Sequence, residues 1–383
     1  MTIKNSGSSL SFSEIVTEFG NPTDGKFGNY RVTESLKRNN VTFRQLTLDG
    51  ETPGTAGSIP TSGQIKFSDF YGKRLTNVID IFSGGQENLL NAKKIFNVIP
   101  NRVTVVGPKK SSDRREADSK VIISVNKTVG SEKGDQTKCA LRTGSWDSTV
   151  QLQVIVDGQG KLVGAGGDGG DGADGLSGSF NGKQGRGFNG TNGTSGLGIE
   201  HGTSTNKTKI IITSGGIIST GFGGGGGGAG GQETSKNDRR AGGGGGGGGA
   251  GIPAGIGGQG GSPQAGTRDD PKDNGDDGNS GSVNNNQLLG GTGGDGGSNE
   301  DQVSGANGGR GGDIRPGFQQ LNGSNGGSDE GGFPNGGVTF GGTAGSNGKA
   351  IRKTDSNIVF EEQFSSNDDV VGDKDGIGVF QST

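Results

Sequence analysis

Hydrophobic and polar positions change rhythm twice along the chain. Over residues 1–74 apolar side chains are sparse, and they gather in two short segments that echo one another: Ser9-Leu10-Ser11-Phe12-Ser13-Glu14-Ile15 and Gln64-Ile65-Lys66-Phe67-Ser68-Asp69-Phe70. In both, Phe is followed by a serine, an acidic residue and an apolar one. Ser11 or Ser13 ahead of EIVTEF, with Gly20 and Asn21-Pro22 behind it, predicts a short capped helix. Ser68 predicts a single capped turn, DFYG, that ends on Gly72. Between them ETPGTAGSIPTSG is turn chemistry. A region this poor in apolar residues closes no large core alone, so 1–74 reads as a docking module. Its contact candidates are Phe12, Ile15, Phe19, Phe67, Phe70 and Tyr71.

From about Leu75 to Gly160 the rhythm is that of strands. NVIDIFSG, KIFNVIPNRVTVVG, SKVIISVNKTVG and VQLQVIVDGQGKLVG are rich in Val and Ile, alternate in places, and are bounded by Gly, Pro, Asn or Asp. Residues 75–160 therefore read as one small β domain, a sandwich, with Trp146 and Phe96 as core aromatics.

Beyond residue 160 a glycine period replaces the hydrophobic one. Gly166, Gly169, Gly172, Gly175 and Gly178 stand three apart, as do Gly187, Gly190, Gly193 and Gly196. Shorter runs are Gly290, Gly293 and Gly296, then Gly305, Gly308 and Gly311. A flexible linker has no reason to keep a period of three, whereas a polyproline-II-type helix has three residues per turn and makes no hydrogen bonds within itself. Buried, its backbone must pair with neighbouring chains, at a distance that excludes side chains from the facing rows. A helix at a rim then needs glycine on one row, and a surrounded helix needs it everywhere. Residues 223–228 and 242–249, the latter inside AGGGGGGGGAG, are the expected innermost helices. Asp168, Asp171 and Asp174 are expected on an outer row facing water, with calcium as a weaker alternative for them.

The lead-in to the tracts repeats. Val156 to Gly167 aligns without gaps on Ile212 to Gly223, and Val338-Thr339-Phe340-Gly341-Gly342 is a looser third copy. Repetition of this kind favours a stacked or layered architecture over a random linker. Polar connectors at 232–240, 262–289, 298–304 and 313–322 are expected as exposed loops, where binding residues concentrate. Candidates for receptor contact are Lys236, Asn237, Arg239, Arg240, Gln264, Arg268, Asn284 and Gln287, whose side chains suit sugar hydroxyls. Residues 350–383 return to ordinary composition and are expected to add one or two strands.

Composition sharpens this division. Of the 88 glycines, 17 lie in residues 1–160 and 71 in the remaining 223, just under a third of the latter. Collagen is the competing reading of such a fraction, but it requires an unbroken Gly-X-Y repeat rich in proline, and only 10 prolines are present. Disorder is the other, given 25% hydrophobic residues, and the kept register argues against it. A net charge of −3 with scattered lysines and arginines leaves no footprint for nucleic acid or an anionic membrane. The N-terminus lacks the apolar core of a secretory signal, and no run approaches a membrane span. Residence in the cytosol, or exit by a route other than secretion, is expected.

Candidates for chemistry are few. Cys139 is the one cysteine and His201 the one histidine, which excludes a disulfide within the chain and a cysteine-cluster zinc site. His201 reads as a surface or loop residue, and a Cys139–His201 pair is the remote alternative. No Gly-Lys-Ser/Thr completes a P-loop, and no carboxylate pair stands out. An enzyme and a bound cofactor are not expected; a depolymerase is the weakest of the functional readings.

SLSFSEIVTEFGNP and SGQIKFSDFYGKRL, then KCALRTGSWDSTVQLQV, LVGAGGDGGDGADG and TGFGGGGGGAGG, resemble the virion structural proteins of tailed bacteriophages, those of marine cyanobacterial phages in particular. The glycine-rich part alone is similar to the tip adhesins of T-even-like phages. That resemblance implies a compact layered sandwich of polyglycine-II helices whose end loops touch the host receptor. The long N-terminal half departs from the tip adhesins and leaves fibre tip, neck, baseplate and tail side open. The expected fold is mainly β plus a polyglycine-II bundle: docking module 1–74, β domain 75–160, glycine-rich domain 161–349 and C-terminal strands 350–383. The expected function is a virion appendage adhesin, assembled in the host cytoplasm. Its expected partners are other virion proteins and a host surface glycan or outer-membrane protein, without membrane insertion. The alternative is a purely architectural neck, baseplate or tail decoration that binds no receptor.

Overall fold

The computed structural model describes residues 3–19, 26–30, 36–38, 41–46, 59–60, 62–73, 76–81, 90–91, 120–144, 146, 148–177, 185–233, 241–263, 274–284, 287–297, 306–315, 319–321, 323–327, 340–365 and 369–378. The two echoing segments form the helix Phe12–Phe19 and the 3-10 turn Phe67–Phe70. Ser11 caps the helix: its hydroxyl accepts from the Glu14 N–H at 3.2 Å, while Glu14 Oε2 accepts from the Ser11 N–H at 2.8 Å. At the second segment the turn begins one residue before Ser68. Asp69 Oδ2 reaches back to the Lys66 N–H at 2.7 Å, which makes the acidic residue, not the serine, the capping group. The segments pack on each other around Ile3, Ile15, Phe19, Tyr30, Ile59 and Phe70.

Among the described residues three sheets have four strands or more, beside three two-stranded pairs. The first runs in the order Leu36–Arg38, Val41–Leu46, Thr76–Ile81, Lys120–Val125, Gln151–Val156, Thr208–Ile212, Phe360–Phe364. The second is ordered Leu90–Asn91, Cys139–Arg142, Ser195–Ile199, Ile351–Lys353, Gly376–Ile377, and the third Thr128–Gly130, Lys161–Val163, Ile217–Ser219, Val370–Val371. Apart from the first two pairings of the first sheet, which are antiparallel, every pairing in these sheets is parallel. From Lys120 onward the chain visits the first, third and second sheet in turn, and repeats that circuit. The result is a three-sided stack of coils, with one core drawn from all three faces: Val121, Val154 and Ile210, Leu162 and Ile218, Leu141, Leu197 and Ile351.

This architecture differs from a sandwich confined to 75–160. Strands from 195–219 and 351–377 lie in the same sheets as those from 120–163, and the described residues beyond 350 contribute four short strands. Composition changes near residue 160 because the chain leaves the stack after Val163, and the same coil resumes at Ser195. The repeat seen in the sequence is the coil itself: Val156 pairs with Ile212, and Lys161 with Ile217, as the gap-free alignment places them. The third copy differs. Val338 and Thr339 lie outside the described residues, Phe340 begins a glycine tract, and the next coil in register is Phe364 to Val371. Trp146 is buried and donates from Nε1 to the Thr143 carbonyl at 2.8 Å. Phe96 lies outside the described residues.

The glycine tracts leave the stack after Lys161–Val163 and again after Ile217–Ser219. They run outward along 164–175, 220–231, 252–263, 290–297 and 323–327, and return along 185–194, 241–251, 274–281, 306–312 and 340–350. Their N–H groups bond to neighbouring tracts in a cycle of three. Gly243, Gly246 and Gly249 donate to Ala173, Gly170 and Gly167; Gly244 and Gly247 donate to Ala306 and Gly309; Gly245 and Gly248 donate to Asp276 and Asn279. The carbonyls of the same tract accept from 220–231, 252–263 and 290–297. Tract 241–251 thus has six neighbours, and so does 220–231, while the other eight surround this pair. Every residue in both is buried. A Cβ on Gly246 would overlap the carbonyl oxygen of Gly225, and one on Gly245 that of Gly258. On an outer tract the burial follows the same period: Gly255, Gly258 and Gly261 are buried, while Ile256, Gln259 and Ser262 are exposed.

Candidate functional site

The rim of the glycine lattice is closed by side chains. An outer tract lacks a neighbour on one side, and some of its N–H groups would face water. Asp168, Asp171 and Asp174 supply the missing acceptor: one carboxylate oxygen of each takes the N–H of Ile256, Gln259 and Ser262, at 2.7, 2.8 and 2.8 Å. Asn189 and Asn192 do the same for Thr343 and Ser346 at 2.8 Å each, and Asp277 for Gly260 at 2.8 Å. The aspartates lie on an outer row as expected, Asp171 and Asp174 exposed and Asp168 half-buried. They are in addition acceptors between tracts, because a carboxylate at this spacing replaces a backbone carbonyl. Each serves a different N–H, and no group of three metal-ligating residues occurs among the described residues.

The lattice has two distinct ends. At the near end Gly164 donates to Ser219, Ile252 to Gly164 and Ser131 to Ile252, which joins the tracts to the sheets. Val163, Phe222, Ala250, Ile252, Leu288 and Val371 form an apolar plug across this junction. Lys133 pairs with Asp168 at 2.5 Å, and Gln136 Nε2 donates to the Asn347 carbonyl at 3.1 Å. At the far end Gly230 donates to Gly185, Gly231 to Ala241, Gly297 to Gly242 and Ala306 to Ala229, so the outer ends of the tracts lie level. The tract ends at 175 and 185, 231 and 241, 263 and 274, 297 and 306, and 327 and 340 therefore all lie at that end.

The contact candidates divide between these ends. Lys236, Asn237, Arg239, Arg240, Gln264 and Arg268 lie outside the described residues, in segments that join far-end tract termini. Asn284 and Gln287 do not join them. They pair across the hairpin Ser282–Asn284 with Gln287–Leu289 at the near end, where Leu288 enters the plug. The continuous polar stretch 262–289 hid this, because its glycines 275, 278 and 281 carry the chain the full length of the bundle.

In the N-terminal module Ile15, Phe19 and Phe70 are fully buried in its own core and offer no exposed surface. Phe12 and Phe67 remain exposed at 37% and 41%, both edge-on to Phe27, at 5.6 and 4.9 Å between ring centres. Tyr71 is half-buried, with its hydroxyl donating to the Ser8 carbonyl at 2.5 Å. His201 lies in the loop between Ser195–Ile199 and Thr208–Ile212, buried rather than on the surface, with Nε2 2.8 Å from the Val150 carbonyl. Cys139 is buried on the second sheet, and burial pushes its thiol up to about 12, far from a nucleophile's range.

No family model matches the chain, and no curated protein matches it. Among solved structures it is similar to the gp37-gp38 adhesin tip complex of the bacteriophage S16 long tail fibre. The two share 16% identity over 82% of this chain and 88% of that one, with a TM-score of 0.35. At that level no residue role passes from one chain to the other. No helix among the described residues is long and apolar enough to cross a membrane.

Proposed function

We propose that this chain is a virion appendage protein of a tailed bacteriophage, an adhesin whose polyglycine-II bundle holds a set of connectors toward the host surface. The observation that carries the reading is the convergence of the outer tract ends at one end of the lattice, opposite the coil stack. The cycle of three in the hydrogen bonds and the six neighbours of the inner tracts support polyglycine-II as the conformation. A bundle of this kind keeps its long axis rigid without a hydrophobic core, and leaves sequence at the turns free to vary. The motifs at 9–15 and 64–70 support attachment to other virion proteins through residues 1–74, with Phe12 and Phe67 as the exposed aromatics. The chemistry is recognition without catalysis. Its far-end candidates are Lys236, Asn237, Arg239, Arg240, Gln264 and Arg268, facing a glycan or outer-membrane protein.

The test replaces 264–273 and 234–240 by glycine-serine chains of equal length, which leaves every tract intact. Adsorption of particles carrying the variant is expected to fall by about tenfold or more, the equivalent of at least about 1.4 kcal/mol of contact. Purified wild-type protein, but not the variant, is expected to compete. Unchanged adsorption and no competition would favour an architectural decoration protein instead.

A further inference from the structure

The outward face of the first sheet carries a groove of about 380 Å³ between the coils and the loop before Thr208–Ile212. Its floor is a row across three strands in direct register, Gln153 beside Lys209 beside Glu361. Such neighbours stand about 4.8 Å apart. Gln151, two residues before Gln153, shares that face, and Lys207 is two before Lys209. Among the described residues none of these five side chains makes a hydrogen bond or ion pair.

The wall opposite is set in advance. Thr203 and Asn206 close a turn on each other, with the Thr203 N–H donating to the Asn206 carbonyl at 2.9 Å and the Asn206 N–H to Thr203 Oγ1 at 3.0 Å. Asn206 Nδ2 then donates to the carbonyls of Ser148 and Val150 at 2.9 and 2.7 Å, which pins the turn to the preceding coil. A wall fixed before binding loses little entropy when a ligand arrives.

The lining is amides, hydroxyls, two ammonium groups and one carboxylate, with Leu152 the single apolar residue. Sites for drug-like ligands are mostly apolar, so this chemistry selects a ligand dense in hydroxyl groups. Two ammonium groups on one face, against one carboxylate, favour an acidic substituent at the Lys207–Lys209 end. We infer that this groove is a lateral saccharide site, binding a short polyhydroxylated chain with its acidic group between Lys207 and Lys209. The site is separate from the far end of the bundle and does not depend on the function proposed for it.

The experiment measures binding to the full chain by calorimetry with four probes: a galacturonic acid trimer, the neutral galactose trimer, mannose 6-phosphate and inorganic phosphate. One of the two acidic sugars is expected to bind at least about tenfold more tightly than the neutral trimer and inorganic phosphate, and the better of them tells carboxylate from phosphate. Lys207→Ala with Lys209→Ala is expected to weaken that binding by about tenfold or more, while Lys127→Ala, at an exposed corner of the stack, leaves it unchanged. Trp146 fluorescence confirms that each variant is folded. Absence of binding at about 1 mM would overturn the inference. Equal binding of the neutral trimer, equal binding of phosphate alone, or indifference to the double variant would overturn it too.

Discussion

At the scale of single residues the lattice works by exclusion. A glycine in an inner tract is there for the oxygen atom its Cβ would strike. Gly246→Val is therefore expected to destabilise the protein by about 3 kcal/mol or more, at the upper end of overpacking costs, since backbone rather than a movable side chain is in the way. Gly28→Ala, where a Cβ meets nothing within 4 Å, is the control and is expected to leave the thermal midpoint unchanged. The glycine rows were legible in the sequence because an excluded Cβ leaves a gap with a fixed period. The aspartate rows were not, because charged residues at a rim look alike whether they face water or accept from a neighbour. Asp171→Ala leaves the Gln259 N–H without its acceptor and is expected to cost about 0.5–1.5 kcal/mol. Asp171→Asn keeps an acceptor oxygen and is expected to recover most of that loss in chemical denaturation. Equal loss in both variants would show that charge, not the hydrogen bond, is what Asp171 contributes.

At the scale of elements, local chemistry was read well where it acts locally. The helix Phe12–Phe19 begins where Ser11 and Glu14 place it, and its cap makes a pH prediction. Glu14 is held down to about 2, first by Lys4 at 2.7 Å, then by the N–H and hydroxyl of Ser11. A carboxyl held below its ordinary 4.5 contributes stability that is complete above that value and is lost as pH falls toward 2. Hydrogen exchange at Ile15 is expected to be faster in Glu14→Gln than in wild type at neutral pH. The two rates are expected to converge near pH 2. A gap that persists there would assign the effect to packing. What local chemistry did not disclose was partnership between distant elements. Strands of Val and Ile announce themselves by alternation, but nothing in VQLQVIVDG says that its neighbour is TKIII, with a two-way glycine excursion in between.

At the scale of the whole molecule, that excursion determines how the protein comes apart. The bundle is not a domain appended to the stack. Residues 164–194 leave from Lys161–Val163 and return to Ser195–Ile199, and residues 220–350 leave from Ile217–Ser219 and return to Ile351–Lys353. The coils that begin at Gln151 and Thr208 are thus closed through the lattice, and loss of the tracts would leave their strands tethered by long loops whose closure entropy opposes pairing. The apolar plug of Val163, Phe222, Ala250, Ile252, Leu288 and Val371 ties Lys161–Val163 and Val370–Val371 to three tract ends and to the hairpin strand Gln287–Leu289. Stack and bundle are therefore expected to unfold together. The single tryptophan, Trp146, sits buried in the stack and reports on it alone, while exchange of the Gly244–Gly248 amides reports on the lattice. Gly246→Val is expected to lower the Trp146 fluorescence midpoint and to speed exchange in the lattice by the same free energy, although the substitution lies within a tract and touches no strand. An unchanged Trp146 midpoint beside fast lattice exchange would instead make the bundle an independent folding unit, held to the stack by covalent continuity alone.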